Sequence, residues 1–264
     1  MKKFTTAFLC AALLLSSISA FGWGPKGHDV VAAIAEKHLT KKTKKALDQL
    51  LDGKSIVYYS SWMDNIQNSP YWNNGYNKTK TWHYANVDKG LTYQTMKKNP
   101  DGDVVTGLEM LTKEMTENYD NLTDSMKVDY VKMIVHMVGD LHCPMHAGRL
   151  SDRGGNGMKV KWFYQNTNLH SVWDGKIIDS KGFTYTEYAQ YLHDVYGAKK
   201  KAVMQMTDEQ TLLQTYHLTD DIYTYHSTWN GNAYHYSYYW MDEMEWQLYT
   251  AGVKLAQALN AIYK

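Results

Sequence analysis

The chain has 264 residues, a formal net charge of +1 and two cysteines, with 21% charged and 14% aromatic residues. So balanced a charge excludes a broad basic face gripping duplex phosphates, and any nucleic acid has to bind in a local site. A disulfide framework is excluded too, because Cys10 falls in the apolar N-terminal run and Cys143 is then alone.

Lys2 and Lys3 precede an apolar run from Ala7 to Leu15 and then small residues. That is the pattern of a secretory signal peptide, too short to span a bilayer as a helix. Cleavage fits after Ala20, or after Gly22, which would make Trp23 the first residue. The expectation is an exported protein, secreted or periplasmic, monomeric and without stable membrane association. Losing the two lysines takes the formal charge to about −1. Residues 23–264 read as a single domain, with four prolines, no low-complexity linker and no repeat of fixed period.

Helical periodicity runs through 27–39, "GHDVVAAIAEKHL", and 40–53, where Thr40 is the N-cap and Gly53 the stop. It continues in 103–115, 125–140, 184–197, 207–217 and 241–264. The strand-like stretch is "MKVKWFYQ", 158–165, ahead of a turn-like "NTN", 166–168. "DRGGNG", 152–157, is a glycine-rich loop. The aromatic run 221–240 reads as helix-packing surface with hydroxyls at its rim; a surface stacking sugars or bases is the alternative.

The stretch "HMVGDLHCPMH", 136–146, concentrates lone-pair donors in apolar surroundings, which is costly unless they find partners. His136 and Asp140, four apart, share a helix face. Pro144 disfavours helix at Cys143, so His146 lies beyond a break and can swing to the same pocket or an adjacent one. His142 points elsewhere and reads as structural. His170 and Asp174 repeat the four-residue spacing. Imidazole and carboxylate are zinc donors, although either pair alone also reads as a hydrogen-bonded pair. His28, Asp64 and His83 add donors in apolar contexts. Jointly the set supplies about what three zinc ions need at roughly four ligands each, with positions left for water.

The ordered motifs W-G-x-x-G-H, S-W-x-D, W-H-Y, H-x3-D-x-H-x-P-x-H, D-R-G-G-N and H-x3-D resemble the S1/P1 nuclease family, from Trp23 to the closing "AGVKLAQALN". Those are secreted zinc enzymes, single-strand nucleases and 3′-nucleotidases. The resemblance implies a mainly α, single-domain helical bundle of the phospholipase C / P1 nuclease-like type, built around a trinuclear zinc cleft, with a small β-hairpin. It implies that Trp23 binds zinc through a free α-amino group and its carbonyl, which favours cleavage after Gly22. His28 would share that ion. Asp64, His83 and His136 would hold its neighbour, Asp140 would bridge the two, and His146, His170 and Asp174 would hold the third. Asp64 would also help to orient the nucleophile.

The expected reaction is attack of a metal-activated hydroxide on phosphorus in single-stranded DNA or RNA, leaving 5′-phosphorylated nucleotides. Tyr84 would stack under a base that Asn86 and Asn156 hydrogen-bond. Three positions depart from the pattern: Gln67 stands where a basic residue is common, Asn86 where an acidic one is found, and Cys143 where Gln is frequent. Cys143 reads as a buried thiol rather than a stray ligand. The competing readings are a zinc phospholipase C and a non-catalytic, zinc-stapled protein binding glycans or a partner. The five-residue step from Trp23 to His28, and Asp174 in place of Glu, argue against the first. Open ligand positions argue against the second.

Overall fold

The structure, a computed structural model, describes residues 23–264, so the leader expected at 1–22 lies outside the described residues. The fold is mainly helical. Its helices are α1 (Pro25–Glu36), α2 (Lys41–Leu50), α3 (Trp62–Ile66), α4 (Val104–Glu117), α5 (Asp124–Leu141), α6 (Leu169–Ser171), α7 (Ile177–Asp179), α8 (Tyr185–Tyr196), α9 (Lys200–Gln205), α10 (Asp208–His226) and α11 (Ala233–Ile262). A wide π-helical turn, Val172–Lys176, joins α6 to α7. None of the described helices is long and apolar enough to cross a membrane.

Local chemistry sets the starts of the helices. Thr40 accepts from the Thr43 amide as read from sequence, and Thr123 caps α5 through the Met126 amide. Asp103/Thr106, Thr184/Glu187 and Thr207/Gln210 close reciprocal capping boxes on α4, α8 and α10. α5 ends at Leu141, and Cys143 ahead of Pro144 is extended, with φ −81° and ψ 118°. The proline thus stops the helix and turns the chain into a short 3-10 segment, Pro144–Ala147.

α11 is the backbone of the core. Tyr236, Trp240, Met244, Leu248, Ala251, Leu255 and Leu259 recur every three or four residues, and all are buried. Each large apolar side chain so enclosed contributes about 1.5–3 kcal/mol. α1 crosses α11 at Gly252, where a Cβ would sit 2.5 Å from Ile34, so the helices meet almost backbone to side chain. α8 and α5 pack on the same pair.

α10 and α11 extend beyond their sequence-based bounds, and both take up parts of the aromatic run. The packing reading of that run holds for Tyr225, Trp229, Tyr236 and Trp240, whose rings contact one another. Tyr234 and Tyr238 face outward, 76% and 91% exposed. "NTN" is not a turn. It belongs to strand β2 (Gln165–Asn168), antiparallel to β1 (Lys159–Trp162), and the reversal is at Phe163 and Tyr164, with Phe163 at φ 50°. β2 is a solvent-facing strand with polar residues, which imitates a turn in sequence.

Candidate metal centre

Four separate pieces of chain converge at the C-terminal half of α5. α5 brings His136 and Asp140 one above the other, and α1 brings His28. Gly139 makes that approach possible: a Cβ there would lie 2.8 Å from His28 Nδ1. α3 brings Asp64, and the extended segment after it brings His83. That segment pairs with the turn after α5, the Ala85 amide donating to the His146 carbonyl and the Val87 amide to the Gly148 carbonyl. α6 and the π-helical turn carry His170 and Asp174.

Asp140 lies at the middle, fully buried. Its Oδ1 is 3.3 Å from His28 Nε2, and its Oδ2 is 3.0 Å from His83 Nδ1 and 3.2 Å from His136 Nε2. Asp64 Oδ1 stands 3.6 Å from His83 Nδ1 and 3.5 Å from His136 Nε2. The ligand atoms of His28, His136 and Asp140 fall within 4.8 Å of one another, as do those of Asp64, His83 and His136, and those of Cys143, His146 and Asp174. The His170 ring stacks on His146 at 5.2 Å between centroids. The structure therefore brings together eight of the nine expected ligand side chains or their rings. The ninth, Trp23, was expected to act through its backbone. Its buried side chain lies against Gly27 and Gly139, and the next amide, Gly24, donates to the Asp174 carbonyl at 2.5 Å.

Three imidazoles are aimed by the backbone. His136 Nδ1 donates to the Ser60 carbonyl at 2.8 Å, His170 Nδ1 to the Gly154 carbonyl at 2.8 Å, and His146 Nδ1 to the His83 carbonyl. Fixing Nδ1–H in this way settles the tautomer and presents Nε2, the arrangement that serves metal-binding histidines. Ser60 is itself held by its hydroxyl bond to Asp29, 2.6 Å.

The donor set fits a metal cluster. Both His28 nitrogens, Asp64 Oδ1, His83 Nε2, Asp140 Oδ1 and Asp174 Oδ1 are enclosed with no hydrogen-bond partner. Polar atoms left so are costly unless a cation satisfies them. The electrostatics agree. Burial, then the charges of Asp140 and Asp64, push the Asp174 carboxyl well up. Burial, then the neighbouring His136, lowers His28 to about 4, keeping it neutral. His136 is raised to about 9 against the effect of burial by the carboxylates of Asp140 and Asp64. Crowded carboxylates beside imidazoles make a centre whose donor types suit divalent ions.

Tyr84 lines a cleft of about 300 Å³ with Asn86, Met96, Pro100, Leu150 and Lys97. Asn86 Oδ1 is enclosed without a partner and faces Gly154. The Asn156 amide donates to the Arg153 carbonyl at 2.9 Å, closing its own loop. Gln67 caps the C-terminus of α3. Sequence reasoning missed Ser60, Gly139 and Thr219. Thr219 donates its hydroxyl from α10 to the Pro144 carbonyl at 2.7 Å, steadying the turn that carries His146. The glycine inside "MVGD" was the one available signal among them.

The S1/P1 Nuclease family model matches residues 23–264. Endonuclease 3 of Arabidopsis thaliana is 27% identical over 283 residues, covering 97% of this chain and 95% of its own. Endonuclease 4 of the same plant is 33% identical over 180 residues, 63% of this chain and 58% of that protein. Nuclease S1 of Aspergillus oryzae is 28% identical over 177 residues, again 63% of this chain and 58% of its own. The match thus spans less than two thirds of the length of the latter two relatives. With the family motifs converging on one buried His/Asp cluster and the family match running over all the described residues, the chain belongs to the S1/P1 nuclease family.

Proposed function

We propose that the protein is an exported, zinc-dependent nuclease that hydrolyses single-stranded DNA and RNA to 5′-phosphorylated nucleotides and also removes 3′-phosphates from nucleotides. The observation that carries this reading is Asp140, whose two oxygens face His28 on one side and His83 and His136 on the other. So placed, Asp140 would serve two neighbouring ions with one carboxylate. Three bound zinc ions would supply Lewis-acid stabilisation of phosphoryl oxygens and acidify water towards a pKa of about 7.

The chain's own residues do the rest. Asp64, His83 and His136 would hold one ion, Trp23 and His28 its neighbour, and His146, His170 and Asp174 the third. The mature chain begins at Trp23, because only a free amine has the lone pair that ligation needs. The Gly24–Asp174 hydrogen bond, which ties the start of the domain to the centre, supports this assignment. Asp64 also orients the attacking water. Tyr84 stacks a base, which requires that base to be out of a duplex and gives tolerance of sequence. Asn86 hydrogen-bonds the stacked base, and Asn156, its amide engaged in the loop, offers its carbonyl oxygen.

Protein processed to begin at Trp23 tests the reading. Incubated with single-stranded DNA and RNA, it should release 5′-mononucleotides, lose activity to a chelator and regain it with zinc. A folded, zinc-loaded sample that cleaves neither polymer overturns the reading and moves phospholipid head groups to first place.

A further inference from the structure

We propose that Cys143 is a thiolate ligand of the third ion, making that position a cysteine-containing site within an otherwise His/Asp centre. The inference rests on the zinc reading above and concerns this chain's own departure from the family motif.

The geometry is specific. The Cys143 sulfur, a ligand nitrogen of His146 and a carboxylate oxygen of Asp174 all lie within 4.8 Å of one another. Ligand atoms around one tetrahedral zinc are separated by roughly 3.5 Å, given bonds of about 2.0–2.3 Å, so small side-chain shifts suffice to close on an ion. Cys143 is wholly enclosed. Its amide donates to the Asp140 carbonyl at 3.0 Å, and its own carbonyl accepts from the His146 amide at 2.9 Å. Cys143 and His146 are therefore two ends of one hydrogen-bonded turn that Pro144 forces out of the helix. Opposite them, Asp174 Oδ1 is enclosed with no hydrogen-bond partner.

A buried free thiol normally packs as a small apolar group. Here one wall of its surroundings is a carboxylate, and a cation between the two satisfies both. Ligation breaks the S–H bond, releases the proton to solvent and forms a sulfur–metal bond, so Cys143 and Asp174 together balance the charge of one divalent ion. With His146, and with His170 assigned to the same ion above, this would make four protein donors, and substrate would then reach the third ion by expansion to five-coordination. The soft sulfur also selects zinc, cobalt or cadmium over magnesium and manganese. The third ion is then held differently from the bridged pair, which has no sulfur.

Cobalt(II) reads this out without reference to activity. The protein, begun at Trp23, stripped and reloaded with cobalt, should show sulfur-to-cobalt charge-transfer absorption in the near ultraviolet. C143S should lose that band and keep the visible d–d absorption of cobalt bound by His and Asp. Circular dichroism and the melting temperature establish that C143S is folded. Should it not fold, cadmium NMR on the unsubstituted protein decides, because thiolate ligation displaces one resonance strongly downfield. Cobalt bound with no charge-transfer band, or cadmium resonances all in the nitrogen/oxygen range, overturns the inference and leaves the nuclease reading standing. A folded chain that binds no cobalt overturns both.

Discussion

α1 takes part in two regions built on opposite principles. At Ile34 it meets α11 over Gly252, and the interface is closed by shape alone. Two turns earlier, at His28, it meets Asp140 and His136, and the groups there are buried with both imidazole nitrogens lacking a hydrogen-bond partner. The first region is complete as protein, because apolar surface needs only a neighbour of the right volume. The second is a concentration of carboxylates and imidazoles in which several enclosed polar atoms have no hydrogen-bond partner within the polypeptide. Placing both on one helix lets the packed lattice bear the cost of the unfavourable centre and hold its geometry rigid.

Substitutions on either side should separate the two. The largest effect is expected from Asp140→Asn, which removes the shared carboxylate. Metal content should drop, and hydrolysis should fall by more than about 100-fold, since even groups behind the ligands are worth about 10–100-fold. The melting temperature of the chelated protein should fall while the fold persists, because Asp140 balances the neighbouring His136 imidazolium and its removal leaves that charge buried with less compensation. A large loss of fold in that variant would break the division.

Gly252→Leu is the converse. A Cβ alone would meet Ile34 at 2.5 Å. Overpacking of this kind costs about 1–3 kcal/mol, or several degrees of melting temperature. Metal stoichiometry and kcat of the surviving folded protein should be unchanged. A simultaneous loss of metal would mean that the lattice and the centre are not separable.

Tyr84→Ala sharpens the centre's own border. The base-stacking contribution, about 1–3 kcal/mol, should appear as a raised KM for oligonucleotides, with metal content intact. Equal activity of the variant would assign Tyr84 to packing.

The smallest effect lies in the lattice and concerns pH. Burial, then Lys200, His193 and Lys37, lowers His38 to about 4 from 6.5. The unfolded chain binds that proton more readily, so the neutral ring's contribution to stability is complete above pH 6.5 and is lost as pH falls towards 4. His38→Gln should flatten the acid side of the melting curve between those values. Since His38 is only half-buried, the change should stay below about 1 kcal/mol. An unaltered pH profile would remove His38 as the cause.

Much of this molecule was legible in local sequence because local physics fixes it. Thr40 caps its helix through short-range hydrogen bonding, Pro144 ends α5 through a clash with its immediate neighbour, and His136 and Asp140 share a face by helical repeat alone. The polar strand "QNTN" was misread because a solvent-facing strand has no apolar alternation to display. The beginning of α11 was missed because its buried aromatics sit among exposed tyrosines.

The ordered motifs named the side chains that converge, but their grouping around Asp140 is tertiary. Residues as far apart as His28 and His136 meet only because Gly139 leaves room for the imidazole, and because α11 fixes where α1 lies. Ser60 acts on the centre through its backbone carbonyl, a role that any residue type can fill, and Thr219 through a hydroxyl donated to the distant Pro144 carbonyl, a pairing that no sequence spacing records. The position of Cys143 beside Asp174 was likewise decided by the fold. One residue follows α5 and the other sits in the π-helical turn, and no sequence spacing records the distance between them.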